Sequence, residues 1–243
     1  MTTLKTQTRT LHQAVLAMRP ENEIVSKALV DPGLMHSLLA RVVPQGVGES
    51  GRSLFLVDEA RFDGRPVVVV QTPHATDWDA LVRERLVAEV ETRIIDLPKF
   101  EEGVLVQIDL LAAAYTNHAR TPEFAEHLKV NVGPNGIGPT HWQEPIVDDD
   151  ACKKWFMEDA FAELERASGK KTGRVGIEAL SCLAGGKRVV TMKHRKKTRI
   201  TWVARRYSAI ARVAFGEVFA DKLAFGVGRG RAWGFGLVRA KLA

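Results

Sequence analysis

Leu54-Phe55-Leu56-Val57 and Val67-Val68-Val69-Val70 are two short apolar runs joined by Asp58 to Pro66, with Asp63-Gly64 between them. An Asp-Gly pair accepts the positive φ of a tight turn, so the stretch is predicted to be an antiparallel hairpin. Upstream, Thr10–Met18 alternates loosely and meets no breaker before Arg19-Pro20, as expected of a first strand. Between the two, Asp31-Pro32 opens a helix: the carboxylate caps the first N–H groups and proline fills a position whose N–H has no partner anyway. That helix is predicted to run to Val43, burying Met35, Leu38, Leu39, Val42 and Val43, before Pro44 and Gly46 end it. Asp77 is placed to cap a second helix reaching Ile94 and carrying Trp78, Leu81, Leu86 and Val90. Gly103–Leu111 supplies a further strand that either closes this unit or opens the next. Strand, helix, strand, strand, helix is the ferredoxin-like plan, which by itself says nothing of function.

The chain has 243 residues, 45% of them hydrophobic, enough for one large domain or two of roughly 100 to 120 residues. No apolar run approaches the roughly 20 residues that span a bilayer. The start, Met1-Thr2-Thr3-Leu4-Lys5, lacks the pattern of a signal peptide, so a cytoplasmic protein without membrane contact is expected. The two cysteines, Cys152 and Cys182, have no CxxC spacing and are expected to be reduced thiols; no metal site is expected.

The net charge of +6 conceals an asymmetry. Residues 1–150 hold 14 Lys/Arg against 22 Asp/Glu, a balance of −8, whereas residues 151–243 hold 21 against 7, a balance of +14. Such a division points to a polyanionic partner for the last third, and nucleic acid needs the fewest further assumptions. Lys187 to Arg212 contains ten Lys/Arg and no Asp or Glu. Two β-like arms within Val189–Val203 flank a cationic tip containing Lys193, Arg195, Lys196, Lys197 and Arg199, and Arg205 and Arg206 follow. A hairpin of this kind can straddle a phosphate backbone, although a plain solvated hairpin also fits.

Elsewhere, Thr116–Asp150 is rich in Pro, Gly and Asn and is read as a long loop or domain junction, with His118, His127 and His141 lacking ligand spacing. Asp150 is predicted to cap a helix from Ala151 to about Ala167 with Trp155, Phe156, Phe161 and Leu164 inward, ended by Gly169. Tyr207–Ala214 is read as a strand, Phe215–Ala224 as a short helix and Leu237–Ala240 as the last strand. Before that strand lies Gly226-Val227-Gly228-Arg229-Gly230-Arg231-Ala232-Trp233-Gly234-Phe235-Gly236. Glycine removes the side chain that would hold a ligand away, so Arg229, Arg231 and the N–H groups of Gly228 and Gly230 suit a phosphate; a tight turn fits equally. His12 is expected to be structural. His36 lies at the flank of the first helix's apolar stripe, in its first turns, where the positive end of the helix dipole favours phosphate, although a boundary histidine is more often a solvated or capped side chain.

Together these blocks resemble the CasE family, the type I-E CRISPR endoribonucleases that process the crRNA precursor. GVGRGRAWGFGLV resembles the family's C-terminal glycine-rich loop, DPGLMHSLLARVVP its first helix with the catalytic histidine, and GRSLFLVDE with RPVVVVQTPHATDWDAL its strand pair and the segment after it. The resemblance implies an α+β protein of two tandem ferredoxin-like (RRM-like) domains with antiparallel sheets, 1–100 and 101–243. It implies metal-independent, cofactor-free cleavage at the 3′ base of the repeat stem-loop with a 2′,3′-cyclic phosphate product, and residence in the Cascade complex with its other subunits. It places His36 at the catalytic position. The RNA contacts would be Lys193, Arg195, Lys196, Lys197, Arg199, Arg205, Arg206, Gly228, Arg229, Gly230 and Arg231. One departure stands out: family members often carry tyrosine three residues before the histidine, and Gly33 is there. Ser37 or a nearby Lys/Arg could substitute, or the protein could bind without cutting.

Overall fold

The structure, a computed structural model, describes residues 9–43, 53–119, 141–165, 171–194 and 198–243. Its first unit runs β1 (Arg9–Met18), α1 (Glu23–Val30), α2 (Pro32–Leu39), β2 (Leu54–Phe62), β3 (Arg65–Thr72), α3 (Asp79–Arg83) and β4 (Val87–Leu97). The four strands form one antiparallel sheet in the order β2-β3-β1-β4. The second unit has β5 (Leu105–Ala112), β10 (Ile177–His194), β11 (Thr198–Val213) and β12 (Val238–Leu242), in the order β10-β11-β5-β12. Each sheet places its own first strand between its third and fourth, which is the ferredoxin-like arrangement twice over. Short ribbons pair β6 (Tyr115–Ala119) with β7 (His141–Pro145), and β8 (Ala162–Leu164) with β9 (Lys171–Val175).

The hairpin forms as expected. Asp63 (φ 49°) and Gly64 (φ 74°) both take the left-handed conformation that a two-residue turn between right-twisted strands requires. The valine run is apolar throughout because β3 is covered on both faces. Val68 and Val70 join the core beneath α1 to α3, while Val67 and Val69 meet Leu54, Leu56 and Leu237 of the second unit on the other side.

Asp31 does more than cap one helix. Its side chain accepts from Gly33 N (2.7 Å) and Leu34 N (3.3 Å), and its own N–H donates to Lys27 O, closing a helix α1 that the sequence reading did not anticipate. The expected helix to Val43 stops at Leu39, yet Met35, Leu38, Leu39 and Val43 are buried as expected, while Val42 is only half-buried. Pro44 and Gly46 lie outside the described residues.

The long helix expected from Asp77 to Ile94 is corrected to the single turn of α3 followed by β4. The N-cap position is taken by Trp78 rather than Asp77, which lies one residue earlier and accepts from Asp79 N at 3.0 Å, and Arg85 at φ 57° ends the turn. Val87, Val90, Thr92, Ile94 and Ile95 are β-branched, and β4 satisfies the free edge of the central strand β1. β5 therefore opens the second unit. Within the Thr116–Asp150 stretch, residues 116–119 and His141–Pro145 are strand and Asp149-Asp150 already belong to the next helix; its Pro/Gly/Asn centre and His127 lie outside the described residues.

Asp148, not Asp150, caps the next helix, α4 (Asp149–Trp155), accepting from Ala151 N at 2.8 Å. The helix does not reach Ala167: it passes into a π-helical turn, Phe156–Ala160, and then into β8. Trp155, Phe156 and Phe161 are buried as expected, but Leu164 is exposed; Gly169 lies outside the described residues. The arm Thr198–Val203 and the strand expected from Tyr207 are one continuous strand, β11. The helix before the glycine-rich loop, α5, spans Gly216–Phe225.

Arg239 on β12 donates to Asp109 on β5 and to Asp58 on β2, so one guanidinium ties the two sheets together. Arg206 completes the group with hydrogen bonds to both oxygens of Asp109, at 2.9 and 3.1 Å. Burial of Asp109 opposes its charge, but the hydrogen bonds from Arg206 and Arg239 outweigh it and hold the carboxyl below its ordinary value of 3.8. A depressed folded value means the stabilisation is complete above the ordinary value and is lost as pH falls through it towards the folded one. Urea midpoints measured from pH 6 down to pH 3 should therefore fall less steeply for Asp109→Asn than for the native protein, and the variant should be the less stable at pH 6.

Candidate nucleic-acid interface

The glycine-rich loop is folded against both sheets. Val227 N donates to Gly236 O (2.9 Å), Gly236 N to Leu111 O (2.7 Å) and Arg229 N to Ala113 O (3.2 Å). Gly236 has φ 87°, and a Cβ there would stand 2.2 Å from Val227 O; one at Gly234, φ 81°, would stand 2.8 Å from the Phe55 ring of β2. Gly230 and Gly234, both left-handed, bracket a 3₁₀ turn, Arg231–Trp233, in which Trp233 N donates to Gly230 O at 2.7 Å. Phe235 is buried with Ala113, Val190 and Ala204. Close packing within the chain therefore by itself requires glycine at Gly234 and Gly236. Among the described residues, the N–H groups of Gly228 and Gly230 have no backbone partner.

His36 stands half-buried on α2 and meets this loop. Its ring lies T-shaped against Trp233, with centroids 5.2 Å apart and planes at 62°, in the range where aromatic pairs attract by about 0.5–1.5 kcal/mol. Two stretches almost 200 residues apart in sequence thus share one site. One turn before His36, Gly33 presents no side chain, its N–H serving the Asp31 cap. Ser37 turns its hydroxyl to Gly33 O at 2.9 Å.

The arginines divide into two kinds. Arg229 is exposed beside the loop, whereas Arg231 is half-buried with its guanidinium on Phe225 O (3.0 Å), the end of α5. Lys222 on α5 has its ammonium pushed below the usual lysine range, first by burial and then by the nearby Arg231. Arg205 is buried, bonded to Val147 O and paired with Asp149 at 2.7 Å. Arg206 holds Asp109, as described. Arg205 and Arg206 therefore have partners within the chain that RNA would have to displace. Lys193 and Arg199 are a backbone register pair of the β10–β11 hairpin; Arg195, Lys196 and Lys197 lie outside the described residues.

Reading the sequence alone missed Trp233 as a site residue, although an aromatic inside a Gly-Arg loop was its signal. It also missed Arg239, Asp58 and Asp109, which carry no motif. Among the described residues no group of three His, Cys, Asp or Glu side chains could hold a metal ion, and no helix is long and apolar enough to cross a membrane.

The arrangement defines a class: a tandem ferredoxin-like protein with a basic hairpin and a glycine-rich loop closing on a histidine. The chain belongs to the CRISPR-associated protein family, described as "CRISPR associated protein", which matches residues 11–240. Comparison with curated proteins finds no match. Among solved structures, the fold is similar to CRISPR endoribonuclease Cse3 bound to 19 nt RNA (18% identity, 95% of this chain and 99% of that one, TM-score 0.69). It is likewise similar to Thermus thermophilus Cse3 bound to an RNA representing a pre-cleavage complex (19%, 96% and 99%, 0.65). A third likeness is to Cas6e from Escherichia coli str. K-12 (11%, 96% and 100%, 0.60). At these identities the likeness is one of fold, and it bears out the tandem ferredoxin-like architecture that the resemblance implied.

Replacing Gly236 by alanine forces both a left-handed alanine and a clash with Val227 O. The substitution should cost on the order of 1–3 kcal/mol, read as a lowered urea midpoint. Gly64→Ala, whose Cβ would meet nothing within 4 Å, should cost less.

Proposed function

We propose that this protein is an endoribonuclease that binds the stem-loop of a CRISPR repeat and cleaves the crRNA precursor at the 3′ base of the stem. The observation that carries the reading is the meeting of His36 with the glycine-rich loop, which brings a proton-transferring side chain to a phosphate-binding surface. Membership of the CRISPR-associated family and the likeness to Cse3 bound to RNA support it.

The nucleophile is the RNA's own 2′-hydroxyl. It attacks the adjacent phosphorus, the P–O5′ bond breaks, and the products are a 2′,3′-cyclic phosphate and a 5′-hydroxyl. His36 takes the proton from the 2′-oxygen or delivers one to the departing 5′-oxygen, a contribution of typically 10² to 10⁴ in rate. Because the substrate supplies the nucleophile, no metal-activated water is needed, and the reaction is proposed to be metal-independent. Arg229 and the N–H groups of Gly228 and Gly230 hold the backbone, Arg231 assists from beneath, and the hairpin residues Lys193, Arg195, Lys196, Lys197 and Arg199 contact the stem. A-form RNA hides its base edges in a deep, narrow groove, so the stem is recognised mainly by shape and phosphate. The folding units are residues 1–100 and 101–243. The protein stays on the product hairpin as a subunit of Cascade in the cytoplasm.

A second reading, an RNA clamp that does not cut, is favoured by Gly33, which leaves the helical turn before His36 without a side chain.

Incubation with the repeat RNA of its own locus in EDTA tests the proposal. The native protein should give one discrete cut, slowed about 10²-fold or more by His36→Ala with hairpin affinity within a few-fold. A single 2′-deoxy substitution at the cut should abolish it. Tight binding without any cut would establish the clamp, and an unslowed His36→Ala variant would remove His36 from the site.

A further inference from the structure

The geometry points to Trp233 as the positioning residue for His36: an indole delivered by the second unit's glycine-rich loop sets the orientation of the imidazole on the first unit's helix. This rests on the proposal that His36 transfers the proton.

Two observations carry the inference. The contact itself is a T-shaped pair at 5.2 Å between rings from opposite ends of the chain. The indole sits on a backbone with little freedom. Left-handed glycines flank its turn, Trp233 N bonds Gly230 O, and Gly234 abuts the Phe55 ring, so the loop is fixed to the sheet that α2 covers.

Packing alone does not account for Trp233. The loop's buried anchor is Phe235, nearly inaccessible among Ala113, Val190 and Ala204, whereas Trp233 is half-exposed at the cluster's margin. Other aromatic side chains of the neighbourhood, Tyr115 and Trp202, pair with each other instead, with centroids 5.5 Å apart. A histidine whose ring swings freely spends little time aligned with a 2′-hydroxyl, and a misplacement of about 1 Å can cost about 10²-fold in rate. The indole contributes no proton and touches no reacting atom in this role; it narrows the imidazole's rotation.

The test compares Trp233→Ala and Trp233→Phe with the native protein. Single-turnover cleavage at saturating protein should fall about 10- to 100-fold in Trp233→Ala and recover most of the loss in Trp233→Phe, because a phenyl ring can reproduce the edge contact. Hairpin affinity should stay within about threefold in both, and the thermal midpoint of Trp233→Phe should match the native one. A second readout needs no cleavage. The carbon-bound ring protons of His36 should show the indole's ring-current shift in NMR spectra of the native protein, lose it in Trp233→Ala and regain part of it in Trp233→Phe. Native-rate cleavage by Trp233→Ala, failure of a folded Trp233→Phe to recover, or a loss of affinity as large as the loss of rate would each overturn the inference. Absence of cleavage by the native protein would instead refute the enzymatic reading, while the NMR shift would still report whether the rings are coupled.

Discussion

The architecture turns on how closely the glycine-rich loop lies against both sheets. With Gly236 N on Leu111 O and Gly234 against Phe55, there is no room for a Cβ at either position. That closeness lets Leu237 reach Leu54, Leu56, Val67 and Val69 and join the two units through an apolar layer. It also sets the distance from the loop to α2, and so brings Trp233 to His36. Arg239, reaching Asp58 on one sheet and Asp109 on the other, fixes the same junction electrostatically. An ion group of this kind contributes more to a defined mutual placement than to net stability, since each charge gives up hydration to take part.

Two ferredoxin-like units alone would present two unrelated sheets. What makes a site is that the C-terminal segment returns to the first unit after the basic hairpin is complete. In the proposed reading the cationic last third supplies the phosphate contacts, while the acidic first part supplies the proton-transferring group. On that proposal, binding charge and reacting group lie on different units, so that a stem could be held along its length while a single phosphate is offered to His36.

Much of this was legible in the sequence. The hairpin was announced by Asp63-Gly64, the cap by Asp31-Pro32 and the loop by its glycines, because each is a local backbone requirement that few residue types meet. The first unit's last strand was not. Trp78, Leu81, Leu86 and Val90 are spaced well enough for a helix, and only the unpaired edge of β1, a tertiary fact, decides for β4. Asp148 and Asp150 could equally cap α4, and the break into a π-helical turn has no local signal. At the site, the residue types identified His36 and Arg229 as candidates, but the roles of Arg205 and Arg206 depend on Asp149 and Asp109, far from them in sequence. The ring contact between His36 and Trp233 spans almost the whole chain, which no spacing rule reaches.

The central claim is that His36 and the glycine-rich loop act on the same phosphate. A structure of the protein with its repeat hairpin, made uncleavable by a 2′-deoxy nucleotide at the cut, tests it most directly. The account predicts the sugar's 2′ position within about 3–4 Å of an imidazole nitrogen of His36, with the adjoining phosphate beside Gly228–Arg231. A hairpin whose backbone stays on β10 and β11, with no phosphate between His36 and the loop, would contradict it.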